Sequence, residues 1–328
     1  MGKNILAINF GGLGDEILFL PTLISLKKEY PDSKITLALE SRSRAIKDLS
    51  DLIDKIITVD IKKKNKYLEL LKFIKTARKQ NFDTVISSGA HPMIAIIVWM
   101  TGIPVRYGYD TGKLSRILFT KAIPLNKNQY AGLMYHDLIS ELTDTQTYVP
   151  QISISPEEKI PNSVLIHPGV SLMSKRKGCI KSITSREWAE LTDRLSAYGK
   201  HIILAGGPDD EECIKDILNY SKCENIDNYY GKTKNIVDLA KLISKADKFV
   251  CSDSAPLHIA VALGVRTYPF FGSTDDKKLV PKLPYITPLK AHDNCPLKPC
   301  LWERRQTSCN ELKCLKYDLA EVARIICE

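Results

Sequence analysis

The strongest constraint on the fold of this chain is an alternation, met twice, of short β-branched runs with amphipathic helical stretches. In the first half the runs 4–10, 34–39, 55–59, 84–87 and 105–108 read as strands. Between them the stretches 16–30, 42–49 and 66–80 carry apolar residues at helical spacing. Such alternation specifies a parallel sheet covered by helices, because parallel strands are joined by crossovers long enough to hold one. In 66–80 the residues Tyr67, Leu70, Leu71, Ile74 and Ala77 are expected to share one face, with the lysines around them opposite or at the approach.

The segment 149–163 holds three prolines among Ser, Glu and Asn residues and reads as an interdomain linker. Beyond it strands at 164–167, 201–205, 248–251 and 266–271 alternate with helices at 185–198, 210–220, 235–245 and 255–263, and a helical pattern at 319–326 closes the chain. A length of 328 residues, with 44% hydrophobic and 26% charged residues, suits two globular α/β domains, divided here as 1–155 and 156–328. There is no internal repeat.

Met1 leads straight into an apolar strand, so no secretion signal is expected. The most apolar run, 93–100, is followed by Gly102 and Pro104 and is too short to span a bilayer as a helix. Residues 1–150 carry 21 basic and 15 acidic side chains, hence +6 of the overall +9, which makes this half the candidate for an anionic partner. Nine cysteines is an odd number; Cys179, Cys213, Cys223, Cys251 and Cys327 are scattered among regular elements, as reduced thiols in a reducing compartment would be.

The chemistry-bearing motifs fall at strand ends. The first strand delivers Gly11, Gly12, Leu13, Gly14 and Asp15 at a strand-to-helix turn, where glycines admit a ligand close to the backbone and the helix offers N–H groups. Asp15 also suits the opening of a helix. In the second half Ser252, Asp253, Ser254, Ala255, Pro256, Leu257 and His258 follow an apolar strand, with Ser254 as N-cap and Pro256 in the first turn. A helix start at the C-terminal edge of a parallel sheet suits a diphosphate.

Together with His167-Pro168-Gly169, Gly206-Gly207-Pro208 and Phe271-Gly272-Ser273-Thr274-Asp275, these motifs resemble glycosyltransferase family 9, the heptosyltransferases, over nearly the whole chain. The resemblance implies a GT-B fold, two Rossmann-like domains facing across a cleft, with acceptor bound by the first and nucleotide-sugar by the second. It implies an inverting transfer, most naturally of heptose from ADP-heptose to a lipopolysaccharide core or related glycan. Asp15 is then the candidate base and Gly12 and Gly14 the acceptor-side turn. Gly169, Lys181, Asp210, Asp253, Ser254, Ala255 and His258 are the donor-side candidates, with Asp210 toward the ribose or base. The sequence departs from the family in having Ala255 where Gly is usual, and in an expanded 171–184 region holding Lys175, Arg176, Lys177 and Lys181; spacing to Trp188 favours Lys181 as the phosphate-binding lysine.

Catalysis on this reading needs no metal cofactor. Cys295, Cys300, Cys309 and Cys314 form a C-x4-C-x8-C-x4-C tail that has enough thiolates for a structural metal, with unmetallated structural thiols as the alternative. A cytoplasmic location is expected, with Lys62, Lys63, Lys64 and Lys66 as candidate contacts to the inner membrane face, and no nucleic-acid partner. Two other readings keep the fold: a different nucleotide-sugar or a protein acceptor, and a nucleotide-sugar-binding protein without catalysis.

Overall fold

Parallel strands buried on both faces need nearly continuous apolar runs, and Ile5–Ile8, Leu37–Leu39 and Val164–Ile166 are such runs, each residue 1% exposed or less. A computed structural model of the chain describes residues 2–328 apart from 62–64, 146, 171–179, 292–294, 301–308 and 310. Lys62, Lys63, Lys64, Lys175, Arg176, Lys177 and Cys179 therefore lie outside the described residues. The chain divides into two compact units, Met1–Ser153 and Ile154–Glu328.

Unit 1 holds β1 (Asn4–Ile8), α1 (Leu13–Glu29), β2 (Lys34–Leu39), α2 (Ile46–Leu49), β3 (Lys55–Thr58), α3 (Lys66–Lys79), β4 (Thr84–Ser87), α4 (Pro92–Met100), β5 (Val105–Asp110), α5 (Lys113–Leu118), β6 (Lys121–Pro124) and α6 (Ala131–His136). Its six strands are parallel in the order β3-β2-β1-β4-β5-β6. Unit 2 holds β7 (Ile160–His167), α7 (Ser185–Ala197), β8 (His201–Leu204), α8 (Glu211–Tyr220), β9 (Ile226–Asn228), α9 (Ile236–Lys245), β10 (Ala246–Ser252), α10 (Ala255–Ala262), β11 (Arg266–Phe271), α11 (Asp276–Leu279), β12 (Leu289–Lys290) and α12 (Leu319–Cys327). Its parallel order is β12-β11-β10-β7-β8-β9. Counted within each unit, both sheets run 3-2-1-4-5-6, the doubly wound order, and both reverse direction between their first and fourth strands.

Four sequence expectations need correction. The expected helix 42–49 is a 3-10 turn at Ser41–Ser43 followed by the short α2; Ser41 is drawn to Asp60 through its amide and hydroxyl, at 3.0 and 2.9 Å, which tightens that turn. The strand expected at 4–10 stops at Ile8, where Asn9 turns its side chain onto the carbonyl of Asp15. The linker does not extend to 163, since β7 already starts at Ile160 and pairs with Ala246 across a bulge with Asn162 at φ 58°. In α3 the buried residues are Phe73, Ile74 and Ala77, while Tyr67 and Leu71 stand in solvent at 66% and 51% exposure. The apolar stripe of α3 is wider than the face the sheet covers.

The core of unit 2 is built on Trp188, fully buried, whose ring meets Phe270 edge-on at 5.0 Å; Phe270 meets Tyr317 in the same way at 4.7 Å. The closing helix α12 lays Val322, Ala323 and Ile326 into this cluster. Among the described residues no helix is long and apolar enough to cross a membrane.

Candidate active site

Open α/β sheets bind ligands outside the C-terminal ends of their strands, where the strand order reverses. In unit 1 that point lies between β1 and β4, paired Ile8 to Ser87, and the loop leaving β1 carries the glycine turn. Gly12, with extended backbone, is the N-cap of α1. Its N–H donates to Asp15 Oδ2 at 2.7 Å, while the Tyr135 hydroxyl of α6 lies 3.5 Å from Oδ1. A β-carbon at Gly11 would stand 2.3 Å from that of Asp15, so only glycine lets this turn fold over the carboxylate. The Ser43 hydroxyl donates to the Gly11 carbonyl at 3.0 Å, fastening the loop after β2 to the turn. Asp15 is thus fixed in orientation and half-buried.

Around it lie groups that the sequence reading did not single out. Glu16 is 1% exposed, and neither of its carboxylate oxygens makes a hydrogen bond of good geometry. Burial pushes its pKa well above the ordinary carboxylate value and the charge of Asp15 adds to this; the Gly11 amide and Arg42 pull the other way, and Glu40 raises it further. Arg42 donates to Glu40 at 2.6 Å and its guanidinium comes within 3.4 Å of where a Gly12 β-carbon would be. Burial likewise raises Tyr135, with Asp15, Tyr109 and Glu16 adding to it. No sequence periodicity marks a carboxylate as buried, so Glu16 had no signal beyond its place next to Asp15.

In unit 2 the reversal lies between β7 and β10, paired His167 to Cys251. Two loops leave there, and a hydrogen-bonded knot joins them to the segment before α7. The Ser182 hydroxyl accepts from Trp188 Nε1 at 2.9 Å and lies 2.9 Å from both the Pro168 carbonyl and Ser252 Oγ. Ser273 donates to the Ile180 carbonyl at 3.1 Å, bringing in the loop after β11. Lys181, held between these anchors, reaches Asp253 Oδ2 at 2.9 Å, and Thr274 Oγ1 donates to the same oxygen at 2.8 Å. The Lys181 and Asp253 side chains are 16% and 4% exposed. Lys181, Asp253 and Ser254 therefore come together, as neighbours in sequence or in space. Thr274 and Ser252 stand in the quoted motifs, but their role as clamps on Asp253 and the β7 loop depends on long-range pairing.

Ser254 occupies the N-cap of α10, but its hydroxyl makes no cap bond; it turns to the Ser252 carbonyl at 3.4 Å. Ala255 opens the helix, and His258, 4% exposed, lies inside it. Asp210 is also 4% exposed and accepts from the Gly207 N–H at 3.0 Å. It packs on Gly169 so closely that a β-carbon there would come within 2.1 Å of the carboxylate. Beside it His167 is buried, which lowers its pKa, while the Asp210 charge raises it. Asp210 thus closes the β8 loop inward onto the β7 loop.

In the tail, burial pushes the Cys300 thiol up, with neighbouring Cys295 and Cys309 adding to the shift and the Cys300 amide and Lys298 opposing it. Among the described residues no group of three or more His, Cys, Asp or Glu side chains is arranged to hold a metal ion.

The sequence model of glycosyltransferase family 9 (heptosyltransferase) matches residues 70–310. Lipopolysaccharide heptosyltransferase 3 of Escherichia coli is 27% identical over 281 residues, covering 80% of this chain and 81% of that protein. Among solved structures, the family 9 glycosyl transferase of Veillonella parvula superposes with a TM-score of 0.73 at 22% identity, over 88% of this chain and 85% of that one. The E. coli heptosyltransferase WaaC with ADP-2-deoxy-2-fluoro heptose gives 0.70 at 18% identity, over 88% and 93%. These two likenesses bear on the fold, and the family match carries the assignment: the chain belongs to glycosyltransferase family 9 and is a glycosyltransferase.

Proposed function

We propose that this chain transfers heptose from ADP-heptose to a hydroxyl of a lipopolysaccharide core or related glycolipid, with inversion at the anomeric carbon. In one displacement the acceptor oxygen bonds to the anomeric carbon, its proton passes to a carboxylate, and the bond to ADP breaks with both electrons leaving on the diphosphate. Asp15 is the base. Gly12 both caps α1 and holds one of its oxygens, leaving the carboxylate oriented and half-buried. The charge developing on the diphosphate falls to Lys181 and to the N–H groups opening α10 at Ser254 and Ala255. Asp253 keeps the Lys181 ammonium in place until the diphosphate competes for it. Gly169, Asp210 and His258 shape the donor side from within, and Gly12 and Gly14 form the acceptor-side turn.

The observation that carries this reading is a lysine, tied to the residue just before an N-cap, at the reversal point of a doubly wound sheet. Lysine and a helix dipole can take a diphosphate's charge without a metal. A soluble nucleotide-sugar and a lipid-linked acceptor put the reaction at the cytoplasmic face of a membrane. Family membership favours heptosyl transfer over the other-donor, protein-acceptor and non-catalytic readings.

ADP release from ADP-heptose in the presence of a heptose-deficient core acceptor tests the proposal. Asp15→Asn should lower turnover by about 10²–10⁴-fold with ADP affinity kept, the usual contribution of a positioned base. Turnover near that of the parent would return Asp15 to closing the first turn of α1.

A further inference from the structure

Among the described residues twelve large hydrophobic side chains are exposed, and eight of them lie between 67 and 117. They belong to one neighbourhood. Helix α3 packs beside α4 and α4 beside α5, and Arg78 Nε donates to the Met100 carbonyl at 2.8 Å, joining the ends of α3 and α4. The inner side of this layer is satisfied: Phe73, Ile74, Ala95, Val98 and Phe119 share one core cluster with β1 and β4 residues. The outer side carries a surplus. Tyr67 and Ile117 are 66% exposed, Trp99 54%, and Leu68 and Leu71 51%.

The charge on these helices is as one-sided as their hydrophobicity. The sequences KYLELLKFIKTARK, PMIAIIVWM and KLSRIL contain seven Lys or Arg and a single acidic residue, Glu69, which pairs with Lys72 at 3.0 Å. A helix facing water is expected to turn a polar face outward. A face mixing exposed aromatic and aliphatic side chains with an excess of cations instead matches the boundary between headgroups and acyl chains.

We propose that the outer face of α3, α4 and α5 docks unit 1 on an anionic lipid bilayer. A second copy of the chain fits less well, because pairing this face with itself sets a net positive charge against the same charge, even with Lys72 paired to Glu69 and Arg116 to Asp110. A bilayer bearing phosphatidylglycerol supplies both the apolar layer for Tyr67, Leu71, Trp99 and Ile117 and the negative charge for the lysines. The biological sense of the contact rests on the proposed lipid-linked acceptor; its measurement does not.

The test is cosedimentation of the full chain with vesicles of equal parts phosphatidylethanolamine and phosphatidylglycerol, against vesicles of phosphatidylcholine alone. Three variants are compared: Leu68→Ser/Leu71→Ser/Ile117→Ser, Lys75→Gln/Lys113→Gln, and Trp99→Phe. All the changed side chains are exposed, so unchanged thermal midpoints are the control for folding. The parent should prefer the anionic vesicles and show a blue shift in tryptophan emission that Trp99→Phe removes. The serine and glutamine variants should each bind about tenfold or more weakly at low salt, while transfer to a short soluble acceptor stays at the parental rate. Equal vesicle binding by parent and variants overturns the docking face, as does a dimer in light scattering that the serine variant abolishes. Absence of transfer with intact vesicle binding would overturn the acceptor reading and leave the docking face standing.

Discussion

Replacing Lys181 with methionine removes a charge while keeping a side chain of similar length. Asp253, 4% exposed, then keeps the Thr274 hydroxyl at 2.8 Å as its hydrogen-bond donor. Removing one partner of a buried ion pair costs about 3–5 kcal/mol, because the surviving charge is left out of water without compensation. Lys181 is itself 16% exposed, so water enters from its side and the low end applies, about 3 kcal/mol. The double variant Lys181→Met/Asp253→Asn strands no charge and should regain about 2 kcal/mol of that loss. Urea unfolding read at constant slope measures both. Calorimetry with ADP then divides support from binding. A diphosphate loses its cation in the single and the double variant alike, so both should bind ADP about tenfold or more weakly, the worth of a charge-assisted hydrogen bond. Stability should recover in the double variant and ADP affinity should not. A Lys181→Met protein within about 0.5 kcal/mol of the parent would refute the buried-pair argument, and unchanged ADP affinity would remove Lys181 from the phosphate site.

Chelation should leave turnover unchanged, since lysine and helix N–H groups carry the diphosphate charge in the proposed reaction; loss of activity restored by a divalent ion would overturn this. Elemental analysis run alongside reports any metal held by Cys295, Cys300, Cys309 and Cys314. Glu16 has a folded pKa raised above its ordinary 4.5, so its contribution to stability is full below that pH and is lost as pH climbs through the folded value. Glu16→Gln should therefore be more stable than the parent at neutral and alkaline pH, and thermal midpoints across a pH series that run parallel in the two proteins would show that the carboxyl is not strained. Gly169→Ala should displace Asp210, because its β-carbon would lie 2.1 Å from that carboxylate; ADP affinity should fall, and parental affinity would show that the β7 loop yields freely.

The alternation of strand and helix was legible because β-branched or aromatic runs such as Lys34–Leu39, Thr84–Ser87 and Arg266–Phe271 begin and end in the structure where the residues change character. Helix α4 was not: its nine residues PMIAIIVWM are apolar all round and show no helical period. The strands Ile226–Asn228 and Leu289–Lys290 are too short and too mixed to stand out from loops. At the candidate site, Asp15 could be picked out by residue type and position at a glycine turn, and Lys181 and Asp253 through the resemblance to the family's motifs. Ser182 and Tyr135 could not, because their partners stand 70 and 120 residues away; Thr274 lies in a quoted motif, but its bond to Asp253 joins two different strand-end loops, and Glu16 is made unusual by burial alone. The facing of α3 was misjudged for a related reason: periodicity reports which residues are apolar, and the neighbouring elements decide how many of them are covered.

The repeated strand order has a consequence for synthesis of the chain. Each reversal point joins the first strand of its sheet to the fourth, so Asn9 meets Ser88 across 79 residues and Pro168 meets Ser252 across 84. At a translation speed of about 5–20 residues per second, the two halves of the second edge leave the ribosome roughly 4–17 s apart. During that interval the β7 loop can close against Ser182 and Asp210 but not against Ser252, and nucleotide cannot assist folding of the segment that will hold it. The first edge, by contrast, is fully synthesised once Ser88 has emerged, long before His167 opens the second. On the ribosome, the N-terminal edge is therefore the only one of the two that can mature while more than half of the protein is still unmade.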